Sequence, residues 1–278
     1  MHWADYTAQR LMERGDEQVS ASGITPSGEF HIGHLREILS AEMIHRACLD
    51  AGMSSKYIFI VDSMDPLRRV YDFLSPEYEE FIGCPLAYIP APDEDGSPGD
   101  GSVTYADHFL SPFLDSLEQI GVRPEVVMNH ETYERGLFAE YIDSAITNRE
   151  EIRSIIQQIS GRELPHDWFP YNPMGSGGSM DGVTVTGYEK PYVVWRDSSG
   201  NEGKSDIRKA HGKMPWRVDW AARWVIHGIT CEPAGKDHGA AGGSYDTGIP
   251  ICRLLGGNPP DKIVYEWIQL KGMGPMSS

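Results

Sequence analysis

The chain has 278 residues, of which 40% are hydrophobic and 10% aromatic, so it can bury a core and disorder is not the default expectation. Its 41 acidic and 24 basic residues give a formal net charge of -17, which excludes nonspecific attraction to a polyanion as the main binding device. The four cysteines are widely separated and none forms a CxxC pair, which argues against a disulfide framework. The sequence has no apolar signal core and no apolar run of about 20 residues, so we expect a cytoplasmic protein without membrane contact.

The first quarter of the chain is predicted to form a helix, a strand, a glycine-rich loop, a helix and a strand. Apolar residues at helical spacing predict a short amphipathic helix over residues 2–14, and a short strand follows near residues 19–23. Glycines and a proline predict a loop up to about His31, after which helical periodicity continues to Gly52. The apolar, β-branched run 57–61 predicts a buried parallel strand that ends in an acidic turn.

The middle of the chain continues this alternation and then changes character. The pattern predicts a helix over residues 105–120, a strand over 125–128 and a long amphipathic helix over roughly 137–160. Residues 165–212 lose helical periodicity and are rich in Gly, Ser, Tyr and Val, which predicts a small, mostly β insertion. Helix and strand signals then return, ending in a final strand with the sequence IVYEWIQL.

Strands and helices therefore alternate along most of the sequence. Such alternation predicts an α/β fold, a Rossmann-like parallel sheet that carries a small, mostly β inserted subdomain. The expected division has three parts: a first half of the main domain over 1–160, the insertion over 161–212, and a second half over 213–278.

The most specific motif is His31-Ile32-Gly33-His34, which lies at the start of a predicted helix after a strand and a glycine-rich loop. A helix N-terminus presents free N–H groups and the positive end of a dipole, so it favours phosphate groups. Two histidines three residues apart can donate hydrogen bonds to phosphate oxygens from one helix face. Gly33 lets a nucleotide base approach the backbone closely. Out of this context, the same tetrapeptide is equally compatible with two ordinary surface histidines.

The segment SGITPSGEFHIGH resembles the first signature of class I aminoacyl-tRNA synthetases. The resemblance implies that His31 and His34 are catalytic, because they bind ATP phosphates and stabilise the transition state of adenylate formation. It also implies that Pro26 and Gly33 belong to the ATP site. Class I nucleotidyltransferases share the HxGH element, so this motif alone leaves the reaction open between tRNA charging and other adenylyl transfer.

A second group of motifs lies between residues 216 and 248. The segments WRVDWAARW, EPAGKDH and GGSYDTG, in this order, are similar to the catalytic domain of class I lysyl-tRNA synthetase, as are the opening HWADY and the HLRE after the first motif. The resemblance covers nearly the whole chain. It implies that Gly235 and Asp237 contact ATP, in agreement with the ability of a carboxylate after a glycine at a strand end to bind ribose hydroxyls.

The same resemblance implies a pocket for L-lysine. A lysine ammonium needs a carboxylate, an aromatic wall for its methylenes, and donors for its own carboxylate. In the family pattern, Glu37 matches the carboxylate that pairs with the ammonium. The other matching positions are Gly23, Thr25, Asp219, Trp220, His238 and Tyr245. Trp220 also belongs to a run of tryptophans at helical spacing, which is more typical of a core than of a ligand wall.

The C-terminal segment KGMGPMSS resembles the opening of a KMSKS-type loop, which in the family binds ATP phosphates through a lysine. Met276, Ser277 and Ser278 match the first residues of that loop and are expected to contact ATP. The loop lysine itself would follow Ser278, and Lys271 would be an imperfect substitute. We therefore expect this sequence to be a fragment that lacks the helical anticodon-reading domain of the family.

The resemblance implies ATP and Mg²⁺ as cofactors, and L-lysine and the acceptor end of tRNA(Lys) as partners; any nucleic acid must bind a local basic patch. Many family members carry cysteines in the insertion that resemble a zinc knuckle, whereas none is present here, so we predict no structural zinc and no metal site. A monomer is favoured.

Three alternatives stay open at the level of sequence. A glutamyl- or glutaminyl-type class I enzyme should place a basic residue where this chain has Glu37. A free-standing nucleotidyltransferase would not need WRVDWAARW or GGSYDTG in their places. A non-catalytic paralogue that binds nucleotide and amino acid is compatible with the missing loop lysine.

Overall fold

The computed structural model describes residues 1–272, 274 and 275. In chain order its strands are β1 (Glu17–Ile24), β2 (Ser54–Val61), β3 (Glu125–Met128), β4 (Asn172–Pro173), β5 (Thr184–Glu189), β6 (Tyr192–Arg196), β7 (Glu202–Asp206), β8 (Gly212–Lys213), β9 (Cys231–Gly235), β10 (Asp261–Tyr265), β11 (Gln269–Leu270) and β12 (Gly274–Pro275). Its helices are α1 (Trp3–Met12), α2 (Ile32–Asp50), α3 (Tyr105–Gln119), α4 (Asn129–Glu134), α5 (Ala139–Thr147), α6 (Arg149–Ser160), α7 (Trp216–Ile226), α8 (Lys236–Gly239) and α9 (Ser244–Leu254). Two 3-10 turns lie at Pro76–Phe81 and Leu86–Tyr88.

The centre of the molecule is a five-stranded sheet with the order β10-β9-β1-β2-β3, and all its strand pairs are parallel. The chain runs outward from β1 through β2 to β3 and later returns to the other side of β1 with β9 and β10. This reversal makes a topological switch point beside β1, and ligands of open α/β sheets bind outside the carboxyl ends of the strands at such a point. The structure thus confirms the predicted Rossmann-like parallel sheet.

The sheet is buried on both faces, which explains the continuous apolar run in β2. Phe59 and Val61 point to one layer, where they pack with Ile38 of α2 and Phe113 of α3. Ile58 and Ile60 belong to a larger core that contains the tryptophans of α7 and residues of α5, α6 and α9. Helices cover both faces of the sheet, and the HxGH motif at the start of α2 follows the carboxyl end of β1.

The predicted β insertion is present as two small antiparallel sheets. β5, β6 and β7 form one sheet, and β4 pairs with β8 next to the point where the chain re-enters the main domain. The Asp197 carboxylate connects two turns of this region, because it accepts hydrogen bonds from Ser176 Oγ at 2.7 Å and from the side-chain amide of Asn201 at 3.0 Å. The boundaries of the three expected parts, and the lack of a structural zinc, stay predictions.

Two predicted elements differ from the structure. The single helix over 137–160 is wrong, since α5 and α6 meet at Asn148, whose side-chain amide donates to the Ser144 carbonyl at 2.8 Å and whose ψ of 25° interrupts the helix. The final strand is shorter than predicted. It ends at Tyr265, because the chain then turns and brings the Trp267 indole toward Asp237.

None of the helices in the described part of the chain has both the length and the apolar character needed to cross a membrane.

Candidate functional site

The two histidines of the HxGH motif fix each other at the start of α2. His31 is the N-cap in an extended conformation, and its Nδ1 accepts a hydrogen bond from the Gly33 N–H at 3.0 Å. His34 Nδ1 accepts from the His31 N–H at 3.1 Å, and the two rings stack with 3.9 Å between centroids. Because both Nδ1 atoms are acceptors, the proton of each neutral ring lies on Nε2, which is left to donate.

Both rings are neutral near pH 7. Burial lowers the pKa of His31, and burial together with the neighbouring His31 lowers the pKa of His34 to about 4. His31 Nε2 is buried and makes no hydrogen bond to the described residues. The motif therefore presents neutral N–H donors and the positive end of a 19-residue helix to the space above the sheet.

Gly33 is required by packing against His31. A Cβ at this position would lie 2.7 Å from His31 Cε1, closer than real Cβ contacts allow. Any side chain here would displace the ring that caps the helix. The glycine thus maintains the position of His31, in addition to keeping the backbone accessible.

Glu37 lies one turn further along α2 and is held by two elements of the sheet. Its carboxylate accepts hydrogen bonds from the Gly23 N–H at 2.9 Å and from the Tyr265 hydroxyl at 3.1 Å. Burial raises the pKa of Glu37 to about 8, and the nearby Glu232 and Asp62 carboxylates also raise it. A carboxylate that is costly to ionise in the empty site would be stabilised by a bound cation.

The ends of β9 and β10 form the opposite side of the site. Tyr265 and Gly235 are register partners, so their strands end side by side. A Cβ at Gly235 would lie 2.5 Å from Asp237 Oδ1, and that oxygen accepts a hydrogen bond from the Trp267 indole at 3.3 Å. A cavity of about 280 Å³ lies between these strand ends and the start of α2. Its lining residues are His31, Gly33, His34, Arg36, Glu37, Gly235, Asp237, His238, Tyr265, Trp267 and Ile268.

An aromatic layer lies behind His238. The ring centroids of Trp216 and Trp220 are each 5.7 Å from that of His238, and Trp220 meets Tyr245 edge-on at 5.3 Å. Trp220 is 4% exposed and Tyr245 is 0% exposed. The Tyr245 hydroxyl donates to the Asp261 carbonyl at 3.1 Å, so its polar group is already satisfied inside the protein.

Asp219 belongs to a buried network of charges. It is fully buried and pairs with Arg223 in the next turn of α7, while its other oxygen accepts a hydrogen bond from the Tyr133 hydroxyl at 2.5 Å. Arg223 also pairs with Asp62 at the end of β2. Thr25, at the start of the glycine-rich loop, donates to Asp65 at 2.8 Å in the same network.

The structure brings seven of the sixteen residues predicted for the site to the cavity, namely His31, Gly33, His34, Glu37, Gly235, Asp237 and His238. Gly23 reaches it through its bond to Glu37, whereas Thr25 and Asp219 lie in the charge network and Pro26 is buried in the loop. Trp220 and Tyr245 lie behind His238. Met276, Ser277 and Ser278 are outside the described residues.

Sequence reasoning missed Arg36, Tyr265, Trp267 and Ile268 as lining residues. Tyr265 is 228 positions from Glu37, and only the pairing of β10 with β9 brings the two together. Its position at the end of an apolar strand beside the switch point was the one available signal. Trp216, which belongs to the run of tryptophans at helical spacing, packs half-buried against the core and also contacts His238.

Metal-binding residues are not clustered in the described part of the chain, where no group of three or more His, Cys, Asp or Glu side chains is placed to hold an ion. The four cysteines are free and buried. The candidate site therefore consists of hydrogen-bond donors, one helix N-terminus and carboxylates.

The chain is similar to known proteins over its whole length. The family described as tRNA synthetases class I (K) matches residues 1–278. A lysine–tRNA ligase of Picrophilus torridus is 44% identical over 100% of this chain and 54% of its own length, and one of Archaeoglobus fulgidus is 45% identical over 100% and 55%. The chain thus spans about half the length of these curated relatives.

Solved structures also resemble it. A tyrosyl-tRNA synthetase from Archaeoglobus fulgidus, complexed with L-tyrosine, aligns with a TM-score of 0.49 and 14% identity, over 99% of this chain and 62% of that chain. The strand-loop-helix motif, the cavity at the switch point and the match of the family to every residue lead to one conclusion: the chain belongs to the class I (K) family of tRNA synthetases.

Proposed function

We propose that this chain carries the amino-acid activation site of a lysine–tRNA ligase. In this reaction the carboxylate of L-lysine attacks the α-phosphate of ATP, lysyl-adenylate forms and pyrophosphate leaves. The lysyl group then passes to a ribose hydroxyl of the 3′-terminal adenosine of tRNA(Lys). The observation that carries the proposal is Glu37, a carboxylate held by Gly23 and Tyr265 at a cavity that also contains the two HxGH histidines.

In the proposed reaction no protein side chain acts as a nucleophile, and catalysis comes from position and charge. His31 and His34 donate from Nε2 to phosphate oxygens, on which charge grows as pyrophosphate leaves. Their capping bonds hold both rings before ATP arrives, and His31 Nε2, which is buried in the empty site, must be uncovered for this donation. Mg²⁺ accompanies ATP as part of the substrate and shields its phosphates.

The proposed ATP site also includes Pro26, Gly33, Gly235 and Asp237, and the KMSKS-type residues Met276, Ser277 and Ser278. The two glycines leave room for the nucleotide, because a Cβ at either would meet a neighbouring site residue. Asp237 is placed at the end of β9, where a carboxylate can accept hydrogen bonds from ribose hydroxyls. Its bond to the Trp267 indole orients it toward the cavity.

The proposed L-lysine site uses Glu37 for the ammonium and His238 for the rest of the amino acid. Of the residues expected there, Trp220 packs edge-on against His238, and Tyr245 in turn packs against Trp220. Gly23 orients the Glu37 carboxylate through its N–H. Thr25 and Asp219 are proposed to hold the loop and α7 beside the substrate.

The amino-acid preference is tested by ATP–pyrophosphate exchange and by calorimetric titration, each with lysine, glutamate and glutamine. The proposal expects exchange and binding with lysine and neither with glutamate nor glutamine, because only a cationic side chain offsets the cost of ionising Glu37. Exchange with glutamate instead of lysine would overturn the substrate assignment. Binding of lysine and ATP without any exchange would favour the non-catalytic alternative.

A further inference from the structure

The base of the inserted region is joined to the start of the glycine-rich loop by buried side chains. Lys213, in β8, places its ammonium 2.9 Å from Asp65 Oδ1, and the two side chains are 5% and 7% exposed. The other Asp65 oxygen accepts the hydrogen bond from Thr25 at 2.8 Å. We infer that Lys213 is a positioning residue for amino-acid binding, acting on the loop through Asp65 and Thr25.

The carboxylate of Asp65 has few other partners. Arg68 approaches the same oxygen as Thr25 at 3.8 Å, but its side chain is 72% exposed, so solvent weakens this interaction. Burial raises the pKa of Asp65, whereas Lys213, followed by Arg223 and the Thr25 hydroxyl, lowers it, and the net pKa is lowered. The Lys213 ammonium therefore keeps Asp65 ionised, and an ionised Asp65 is the stronger acceptor for the Thr25 hydroxyl.

Lys213 also connects Asp65 to α7. Its ammonium lies 3.6 Å from Asp219 Oδ2, and Arg223 bridges Asp219 to Asp62. Three carboxylates thus surround two buried cations, and removal of either cation increases the excess of negative charge in the network. Since Thr25 lies two residues after Gly23, whose N–H holds Glu37, a shift of the loop start would change the geometry of the ammonium site.

The ion pair between Lys213 and Asp65 connects parts of the molecule that are far apart in sequence. Lys213 is the register partner of Asn172 in the β4–β8 pair, at the base of the β insertion. Asp65 lies in the turn after β2, and its backbone accepts from the Leu86 N–H at 2.9 Å. The insertion, the β2 turn and the glycine-rich loop therefore meet at a single ion pair. This inference rests on the proposed function, because it names a residue that orients the same site.

The test compares Lys213→Met with the double variant K213M/D65N and with the control K204M. Lys204 pairs with Glu189 at 3.3 Å on the exposed face of the insertion, so its loss removes a lysine and an ion pair from the same region without touching the network. The double variant restores the net charge of the unchanged network, while the amide oxygen introduced by D65N can still accept a hydrogen bond from Thr25. Dissociation constants for L-lysine and for ATP are measured by calorimetry on the 278-residue chain.

We expect K213M to weaken L-lysine binding by about 10-fold or more and ATP binding by less than about 3-fold, since only the amino-acid end of the site is anchored by this pair. The double variant should recover most of the loss, as expected for residues that act as one unit. K204M should bind both ligands like the unchanged chain.

Unchanged L-lysine affinity in a folded K213M variant would overturn the inference, as would equal losses for L-lysine and ATP. If neither K213M nor the double variant folds, the pair supports the whole fold and the positioning role is also overturned. If the unchanged chain itself does not bind L-lysine, the proposed function fails, and this outcome is distinct from the other three.

Discussion

The paired rings of His31 and His34 show how a short motif sets its own geometry. Each ring caps the helix by accepting from a backbone N–H two or three residues away, so the arrangement depends on local spacing alone. For this reason the sequence was sufficient to identify both residues as candidates. The same local contacts place both rings in a partly desolvated position, which keeps them neutral.

Replacing either histidine with alanine should lower the rate of adenylate formation by about 10²-fold to 10³-fold, the usual cost of losing one donor to a developing charge. The affinity for ATP should change much less, because the lost interaction is strongest in the transition state. His45→Ala is the matched control, since His45 is on the same helix but bonds to Ser55 away from the site. Full activity in both H31A and H34A would contradict the proposed role.

The raised pKa of Glu37 leads us to expect that L-lysine binding depends on pH. Its pKa of about 8 in the empty site means that most molecules carry a protonated Glu37 at pH 7, while the bound ammonium requires the ionised form. Affinity should therefore rise as pH increases from 6 to 8 and level off above it, with proton release on binding. Calorimetry in buffers of different ionisation enthalpy measures that release.

Glu37→Gln is the variant that isolates this effect. It has no proton to release, so its weaker L-lysine binding should be nearly independent of pH between 6 and 8. A wild-type affinity that is flat over the same range, or an E37Q variant that keeps the slope, would show that another group is responsible.

Among the secondary-structure elements, those with strong local patterns were predicted well and those set by tertiary contacts were not. The strand β2 was recognisable because its consecutive apolar residues are buried. The helix α2 was recognisable because its buried apolar residues recur at helical spacing. The break at Asn148 was missed, since Asn can occur within helices and no Pro or Gly marks the position. The early end of β10 was missed because it depends on the contact between Trp267 and Asp237.

Hydrogen bonds to the Asp197 carboxylate connect the turns of the insertion. Side-chain hydrogen bonds from Ser176 and Asn201, with backbone bonds from Ser199 and Asn201, lower the pKa of Asp197 to about 2. Because the folded pKa is depressed, this contribution to stability is complete above the ordinary aspartate pKa of about 4 and is lost as pH falls toward 2.

Asp197→Ala should make the segment from 175 to 201 more susceptible to limited proteolysis while the central sheet keeps its melting temperature. Asp95→Ala provides the control, as Asp95 makes similar bonds to Ser97 in a loop outside the insertion. Cleavage of D197A at the same rate as the unchanged chain would show that other packing holds the turns.

For the entire chain, the parallel sheet and the β insertion followed from the order of its elements, but the composition of the cavity did not. Of the lining residues close to the HxGH motif in sequence, all but Arg36 were identified, whereas Tyr265 and Trp267 lie at and after the end of a strand that is distant in sequence and adjacent only after folding. Trp220 and Tyr245 were expected at the substrate, and their burial places them one layer behind His238. Parallel sheets create such sites by topology, which spacing along the chain cannot reveal.

The proposed selection of L-lysine depends on the half-buried carboxyl group of Glu37. The most direct measurement is calorimetric titration of the chain with L-lysine and with L-norleucine. Norleucine has the same four side-chain carbons as lysine but no side-chain ammonium. Binding of L-lysine with norleucine weaker by at least about 100-fold is the predicted result, because norleucine leaves the Glu37 carboxyl group without its cation. Equal affinities for the two amino acids, or stronger binding of norleucine, would contradict it.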